Sequence, residues 1–314
     1  MPRARTGGRL ALDLGGMEDA VRAQGETVLV TGATGNTGSA LLGLLAERGV
    51  ATRAMVRREG DADRLHSTPA SVAVADFDDS AALAAALDGV TRAYLVTPSS
   101  AAAEGHQIRF AELAADAGVS HLVKLSQLGA AEDSPVRFLR YHAAVERRIR
   151  ALGLAYTFLR PNLYFQGLLN FRGPISSEGR FFAPIGDARV SAVDVRDIAA
   201  VAAAALTEPG HVGQSYTITG PAAVTHAEIA DAIGRAIGRP VEFVDVPPDV
   251  FASALSGLMP EWQIDGLVED YAHYARGEAA DVHPTVRDVG GREPRDLAEF
   301  AQDYAREFGD PGAG

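Results

Sequence analysis

The octapeptide Thr31-Gly32-Ala33-Thr34-Gly35-Asn36-Thr37-Gly38 constrains this chain more than any other segment. It follows a β-branched run at 27–31 and opens an alanine- and leucine-rich stretch at 38–48, so a strand, a glycine turn and a helix are expected in that order. Gly32, Gly35 and Gly38 are spaced three residues apart. Glycines there let a backbone approach a diphosphate closely, and the helix that follows offers unpaired N–H groups and a favourable dipole. Thr34, Asn36 and Thr37 add side-chain donors. The turn is therefore expected to bind a dinucleotide.

The rest of the first half keeps the same rhythm. Short runs at 51–56, 72–75, 93–96, 122–125 and 155–159 read as strands, and stretches at 80–87, 102–117 and 138–151 read as helices. That alternation is the pattern of βαβ units, and it predicts an α/β fold: a Rossmann doubly wound parallel sheet with helices on both faces. Beyond 165 the pattern loosens around Gly173, Pro174, Gly179, Pro184 and Gly186. Helix returns at 194–206, strand at 215–218, and Thr225-His226-Ala227-Glu228 forms a capping box for a helix reaching Ile237. A strand is expected at 240–246. We divide the chain into a flexible extension at 1–25 with a short helix near 17–23, a dinucleotide-binding core at 26–165, and a small C-terminal substrate lobe at 166–314. That lobe interleaves with the last strands and helices of the same domain.

Composition narrows the functional classes. Apolar residues make up 47% of 314, enough for a sizeable core. The longest apolar run, 198–206, is far shorter than the roughly 20 residues a membrane span needs, so no membrane association is expected. Lys plus Arg number 29 against 41 Asp plus Glu, a net charge of −12 that argues against nucleic acid as a partner. The cluster Arg147, Arg148 and Arg150 reads as a solvated helix face. No cysteine is present, which excludes disulfides and thiolate chemistry and fits a cytoplasmic location. The eight histidines are scattered without an H-x-x-x-H pair, so no metal site is expected. The expected partner is a small-molecule substrate, with the chain a monomer or a homodimer.

Four positions refine the cofactor. The second strand ends at Arg57-Arg58, where NAD-selective folds tend to carry a ribose-binding carboxylate; cations there suit a 2′-phosphate, which favours NADPH/NADP over NAD. Asp76-Phe77 follows the third strand, where the carboxylate can bond the adenine amino group and the ring can pack beside it, or the pair can serve simply as a strand-ending turn. Thr97 ends the fourth strand and faces the cofactor by sheet topology, as does Pro161 at the end of the sixth.

Together with the glycine turn, the segments Ala93-Tyr-Leu-Val-Thr-Pro98, Tyr156-Thr-Phe-Leu-Arg-Pro161, Val193-Asp-Val-Arg-Asp-Ile-Ala199, Tyr216-Thr-Ile-Thr-Gly-Pro221 and the terminal 300–308 resemble the NmrA-like family of atypical short-chain dehydrogenases. The resemblance covers about 27–308. It implies an NAD(P)H-dependent oxidoreductase acting on a small conjugated, aromatic or quinone-like carbonyl compound. The same family contains redox sensors without turnover, and an isomerase or cyclase use of the fold is a further alternative. By resemblance, Gly32, Thr34, Gly35, Asn36, Thr37, Arg57, Asp76, Phe77 and Thr97 contact the cofactor.

The catalytic region departs from the short-chain dehydrogenase plan of a Ser at the end of strand five and a Tyr-x-x-x-Lys on the next helix. Ser126 stands at the Ser position, but Phe138 and His142 occupy the Tyr and Lys positions, and Tyr141 is offset. His142 is the candidate proton donor, with Glu146 one turn later expected to hold it; a purely structural His–Glu pair is the alternative. Asn162 and Tyr164 are expected to reach the cofactor edge or the substrate pocket, making Ser126, His142 and Tyr164 the candidate catalytic set. Phe165, Phe171, Phe181, Phe182, Phe251 and Trp262 supply aromatics, most for the core and some for a planar substrate.

Overall fold

The computed structural model describes residues 26–65 and 68–309, so the helix expected near 17–23 lies outside the described residues. Seven parallel strands form the central sheet: β1 (Thr27–Val30), β2 (Ala51–Val56), β3 (Ser71–Val74), β4 (Arg92–Leu95), β5 (His121–Leu125), β6 (Tyr156–Pro161) and β8 (Gln214–Ile218). Their order is β3-β2-β1-β4-β5-β6-β8, with every neighbour pair parallel. The order reverses between β1 and β4, and the loops leaving these strands part there to open a crevice at the carboxyl edge.

Side-chain alternation explains the two layers of helices. Val28 and Val30 point to one face with Val123, Leu125 and Leu159, where they meet Leu41, Leu42 and Leu45 of α1 (Asn36–Glu47) and Ile198, Val201 and Ala202 of α6 (Val195–Thr207). Leu29, Ala93, Leu95 and Leu122 point to the other. There they meet α2 (Ser80–Leu87), α3 (Ala103–Asp116) and α4 (Arg137–Ala151) through Leu83, Phe110, Val145 and Ile149. The alanine-rich α6 is buried on all sides, and small side chains let it lie close on the sheet.

Asp194 caps α6 by accepting from the Arg196 amide at 2.8 Å, and its carboxylate also takes the Arg196 guanidinium at 2.7 Å. Asp197, one turn on, accepts from Arg295 at 2.6 Å and from its backbone amide at 2.7 Å. The acidic residues of the 193–199 motif thus cap α6 and tie it to the C-terminal segment, through Asp197–Arg295 and through Arg196, which bridges Asp194 and Asp303.

The segment expected to be irregular is better ordered than its glycines and prolines imply. A 3-10 turn at Phe165–Phe171 leads into α5 (Arg172–Glu178) and then β7 (Arg180–Ala183). β7 pairs in parallel with β9 (Glu242–Asp245), a shorter strand than the 240–246 expected. The capping box at Thr225 and Glu228 forms as read and opens α7 (His226–Ile237). Two further helices, α8 (Pro248–Leu255) and α9 (Glu261–Ala275), close over the carboxyl edge of the sheet. Gly266 sets how closely α9 lies on α4, since a Cβ there would stand 2.2 Å from Phe138 Cζ. Among the described residues no helix is long and apolar enough to cross a membrane.

Candidate active site

The glycine turn sits at the topological switch. Gly32 has φ +58°, which a Cβ would strain, and a Cβ on Gly38 would lie 2.2 Å from the Gly32 carbonyl oxygen. The turn is thus folded back on itself so tightly that only glycine fits. Thr31 locks it in place: its hydroxyl donates to the Val96 carbonyl and accepts from the Val96 amide, both at 2.8 Å, stitching the ends of β1 and β4 together. The first turn of α1 carries no side-chain cap and no acidic residue, so its leading N–H groups point at open space with the dipole unneutralised.

A cleft of about 600 Å³ runs from this turn along the carboxyl edge of the sheet. Gly32, Thr34, Gly35, Asn36 and Thr37 line one end, Thr97 and Gln107 the side, and Ser126, Phe138, Tyr141, His142, Pro161 and Tyr164 the far end. Gln107 donates to Thr97 at 2.8 Å while its carbonyl oxygen is buried without a partner, an acceptor held ready in the wall. A compact glycine cradle, an uncapped helix start and an orphaned acceptor in one cleft fit a dinucleotide.

Arg57, Asp76 and Phe77 do not line this cleft. Arg57 is exposed at the end of β2. Asp76 turns back to accept from the Asp78 amide at 3.0 Å, and Phe77 stacks on His106 with ring centroids 5.8 Å apart and packs on Phe110. Both residues stand in the turn that follows β3, outside the lining of the cleft. Arg64, which drew no notice in the sequence, donates to the Thr34 carbonyl at 3.3 Å and puts another cation beside the glycine turn.

The far end is built from two residues of strand spacing meeting two of helix spacing. Lys124 and Ser126 are two apart along β5 and its exit, and so face the same side, toward α4. His142 and Glu146 are four apart on α4 and share a face. The expected His142–Glu146 pair does not form. The Ser126 hydroxyl donates to Glu146 Oε1 at 2.7 Å, and Arg160 from β6 donates to both Glu146 oxygens at 2.9 and 2.5 Å. Burial raises the Glu146 carboxyl, but the Arg160 and Ser126 bonds outweigh it and hold it below its usual range, so it is ionised.

His142 pairs instead with Lys124, whose Nζ lies 2.6 Å from His142 Nδ1. Lys124 is fully buried. Burial brings its ammonium down to about 7, against the pull of Glu146. Burial, then the Lys124 and Arg160 charges, push the imidazole well below 6.5. His142 is accordingly neutral; when the Lys124 ammonium donates to Nδ1, the hydrogen of the neutral ring is on Nε2.

The aromatic walls complete the site. The Tyr141 ring lies tilted against His142 with centroids 4.1 Å apart, and burial pushes its phenol to about 12. Burial also raises the Tyr164 phenol far above its usual value, so neither ring is a phenolate. Asn162 lines the cleft, yet its amide donates to Ser191 and to the Ala279 carbonyl, both at 2.8 Å, and its oxygen accepts from the Leu163 amide. It braces the chain after β6. Phe171, Phe182 and Phe251 line a second cavity of about 250 Å³ that adjoins the first at Leu163, Tyr164, Leu267, Asp270 and Tyr274. Phe165 and Phe181 are core, and Trp262 packs on Phe138 beneath Arg137.

The model of the NmrA-like family matches residues 24–301. The chain belongs to the NmrA-like family. Among characterised members of this NmrA-like group, it is 39% identical to an NAD(P)H azoreductase of Xenophilus azovorans, over 90% of this chain and 99% of the relative. It is 37% identical to a (4-alkanoyl-5-oxo-2,5-dihydrofuran-3-yl)methyl phosphate reductase of Streptomyces griseus, with the same shares covered. Its backbone follows the NADPH-dependent quinone oxidoreductase of Escherichia coli, solved with NADPH, at a TM-score of 0.80 and 27% identity over 88% of this chain and 99% of that one.

Proposed function

We propose that this NmrA-like protein is an NADPH-dependent oxidoreductase that reduces a small conjugated, aromatic or quinone-like acceptor. One observation carries the reading: a single cleft joins the glycine cradle to a neutral His142 backed by a buried lysine and to an aromatic-walled second cavity. The relatives at 39% and 37% identity are reductases, one of them using NAD(P)H, which supports redox use of the cleft over a sensing or isomerising one.

In this reading Gly32, Thr34, Gly35, Asn36, Thr37, Thr97, Gln107 and Pro161 hold the dinucleotide, and Arg57, exposed just after β2, and Arg64, beside the glycine turn, are the cations we assign to a 2′-phosphate. Bound NADPH supplies the hydride. The protein's task is to place an electrophilic acceptor and deliver a proton to it. His142 Nε2 is the donor at the cleft wall, and Lys124 replenishes the imidazole through Nδ1. A conjugated acceptor suits this arrangement, because hydride addition to it needs less proton assistance than reduction of an isolated ketone. Ser126, held by the ionised Glu146, positions the wall, while Tyr164 and Tyr141 flank the acceptor as neutral phenols.

The test is steady-state consumption of NADPH, followed at its own absorbance, against quinones, azo and triarylmethane dyes and enones. Turnover with at least one class is expected. Tight NADPH binding with no turnover across the panel would replace this reading with the sensor.

A further inference from the structure

The junction of the two cavities holds a carboxyl group with no role in the steps above. Asp270, on α9, is only 7% exposed. Its oxygens accept from Gln127 Nε2, both at 2.9 Å, and Oδ2 accepts from the Tyr274 hydroxyl at 2.8 Å. No cation pairs with it among the described residues. Its neighbour Glu269 is occupied by Arg137 at 2.8 Å, and four phenols surround it, Tyr271 and Tyr274 on α9, Tyr164 after β6 and Tyr141 on α4, with His142 in the wall of the same cleft and His273 three residues on along α9. A buried carboxyl without a counter-charge is costly, and structures keep one where something else completes it. Here two fixed donors aim it and leave lone pairs unused, since an ionised carboxylate has about four acceptor positions. The second cavity beside it is walled by Phe171, Phe182, Phe251, Leu255 and Tyr271 and offers no other carboxyl.

We propose that Asp270 is the specificity determinant of the acceptor, taking an amino or ammonium group of an elongated aromatic substrate whose apolar end fills the second cavity. This deepens the reductase reading and rests on it for the word substrate, but the binding it describes needs no turnover. Burial pushes the Asp270 carboxyl up to about 6, opposed by its bonds from Tyr274 and Gln127, so its preference for a cation rises with pH through that point.

Calorimetric titration of the NADP-loaded full chain with 4-(aminomethyl)biphenyl, its neutral hydroxymethyl counterpart and benzylamine tests this. At pH 8 the ammonium biphenyl should bind about tenfold tighter than the hydroxymethyl one, a difference of about 1.4 kcal/mol, and tighter than the shorter benzylamine. The preference for the ammonium should shrink at pH 5 and vanish at both pH values in Asp270→Asn. Equal binding of the two biphenyls at pH 8, no binding of either, or a preference that survives in Asp270→Asn would overturn the proposal. The pH dependence in the unaltered protein decides the matter even where Asp270→Asn does not fold. Absence of NADPH consumption would overturn the reductase reading alone and leave these titrations standing.

Discussion

The buried Nζ of Lys124 lies 2.6 Å from Nδ1 of His142, so the imidazole we propose as the proton donor is backed by a lysine from the strand. The standard short-chain dehydrogenase plan set out above has a lysine on the helix itself, and this chain has His142 at that position. With Nδ1 engaged by Lys124, Nε2 is the imidazole nitrogen left for the proposed proton transfer.

That pair gives a pH profile. Lys124 titrates at about 7 in the folded protein, so the protonated relay empties as pH rises and kcat should fall through that point. Lys124→Met should flatten this limb. His142→Ala should lower kcat by about 100-fold, the lower end for a lost general acid, with little change in KM for NADPH. An unchanged kcat with a lowered Tm would make His142 structural.

Lys124 also links stability to pH. Its folded value lies below the usual 10.5, so the unfolded chain binds the extra proton between about 7 and 10.5. Stability from this group therefore rises with pH across that window. Thermal unfolding at pH 7 and pH 9 should show a rise in the wild type that is reduced in Lys124→Met.

Glu146 is 1% exposed and joins Ser126, Arg160 and Arg150. Removing its charge strands the Arg160 guanidinium, and breaking a buried pair this way costs about 3 kcal/mol. Glu146→Gln should lower the urea midpoint accordingly, whereas Ser126→Ala should lower it much less. Equal midpoints for Glu146→Gln and wild type would show that Arg160 finds water.

At the glycine turn, Gly38→Ala places a Cβ where the Gly32 carbonyl already stands. NADPH affinity should fall by at least 100-fold, read by fluorescence titration, as the turn is forced open. Arg57→Glu should weaken NADPH far more than NADH. Equal effects on both cofactors would remove Arg57 from the 2′-phosphate.

Most of the sheet was legible because its strands are short apolar runs, most of them alternating with helices of clear period. The glycine turn was legible because its spacing, its strand and its helix agree. The pair β7 and β9 was less so: Phe181 and Phe243 meet across a long stretch of intervening sequence, and the glycines and prolines around 173–186 read as loop. The site was legible in its residues and not in its pairings. His142 and Glu146 share a helix face, so sequence spacing joined them, but β5 and β6 bring Lys124 and Arg160 into the space between. Lys124 itself left a signal, a lone cation inside the apolar run His121–Leu125, on the same side of the strand as Leu122. Asp270 left none, because only the crossing of α9 over α4 at Gly266 carries it to the cleft.

Transfer of a hydride and a proton to a conjugated acceptor in the cleft is tested most directly by anaerobic mixing of the NADPH-loaded protein with one equivalent of a quinone or azo acceptor. Loss of the nicotinamide absorbance is expected in step with one equivalent of reduced acceptor, slowed by His142→Ala. Bound NADPH that persists unoxidised beside every acceptor would contradict it.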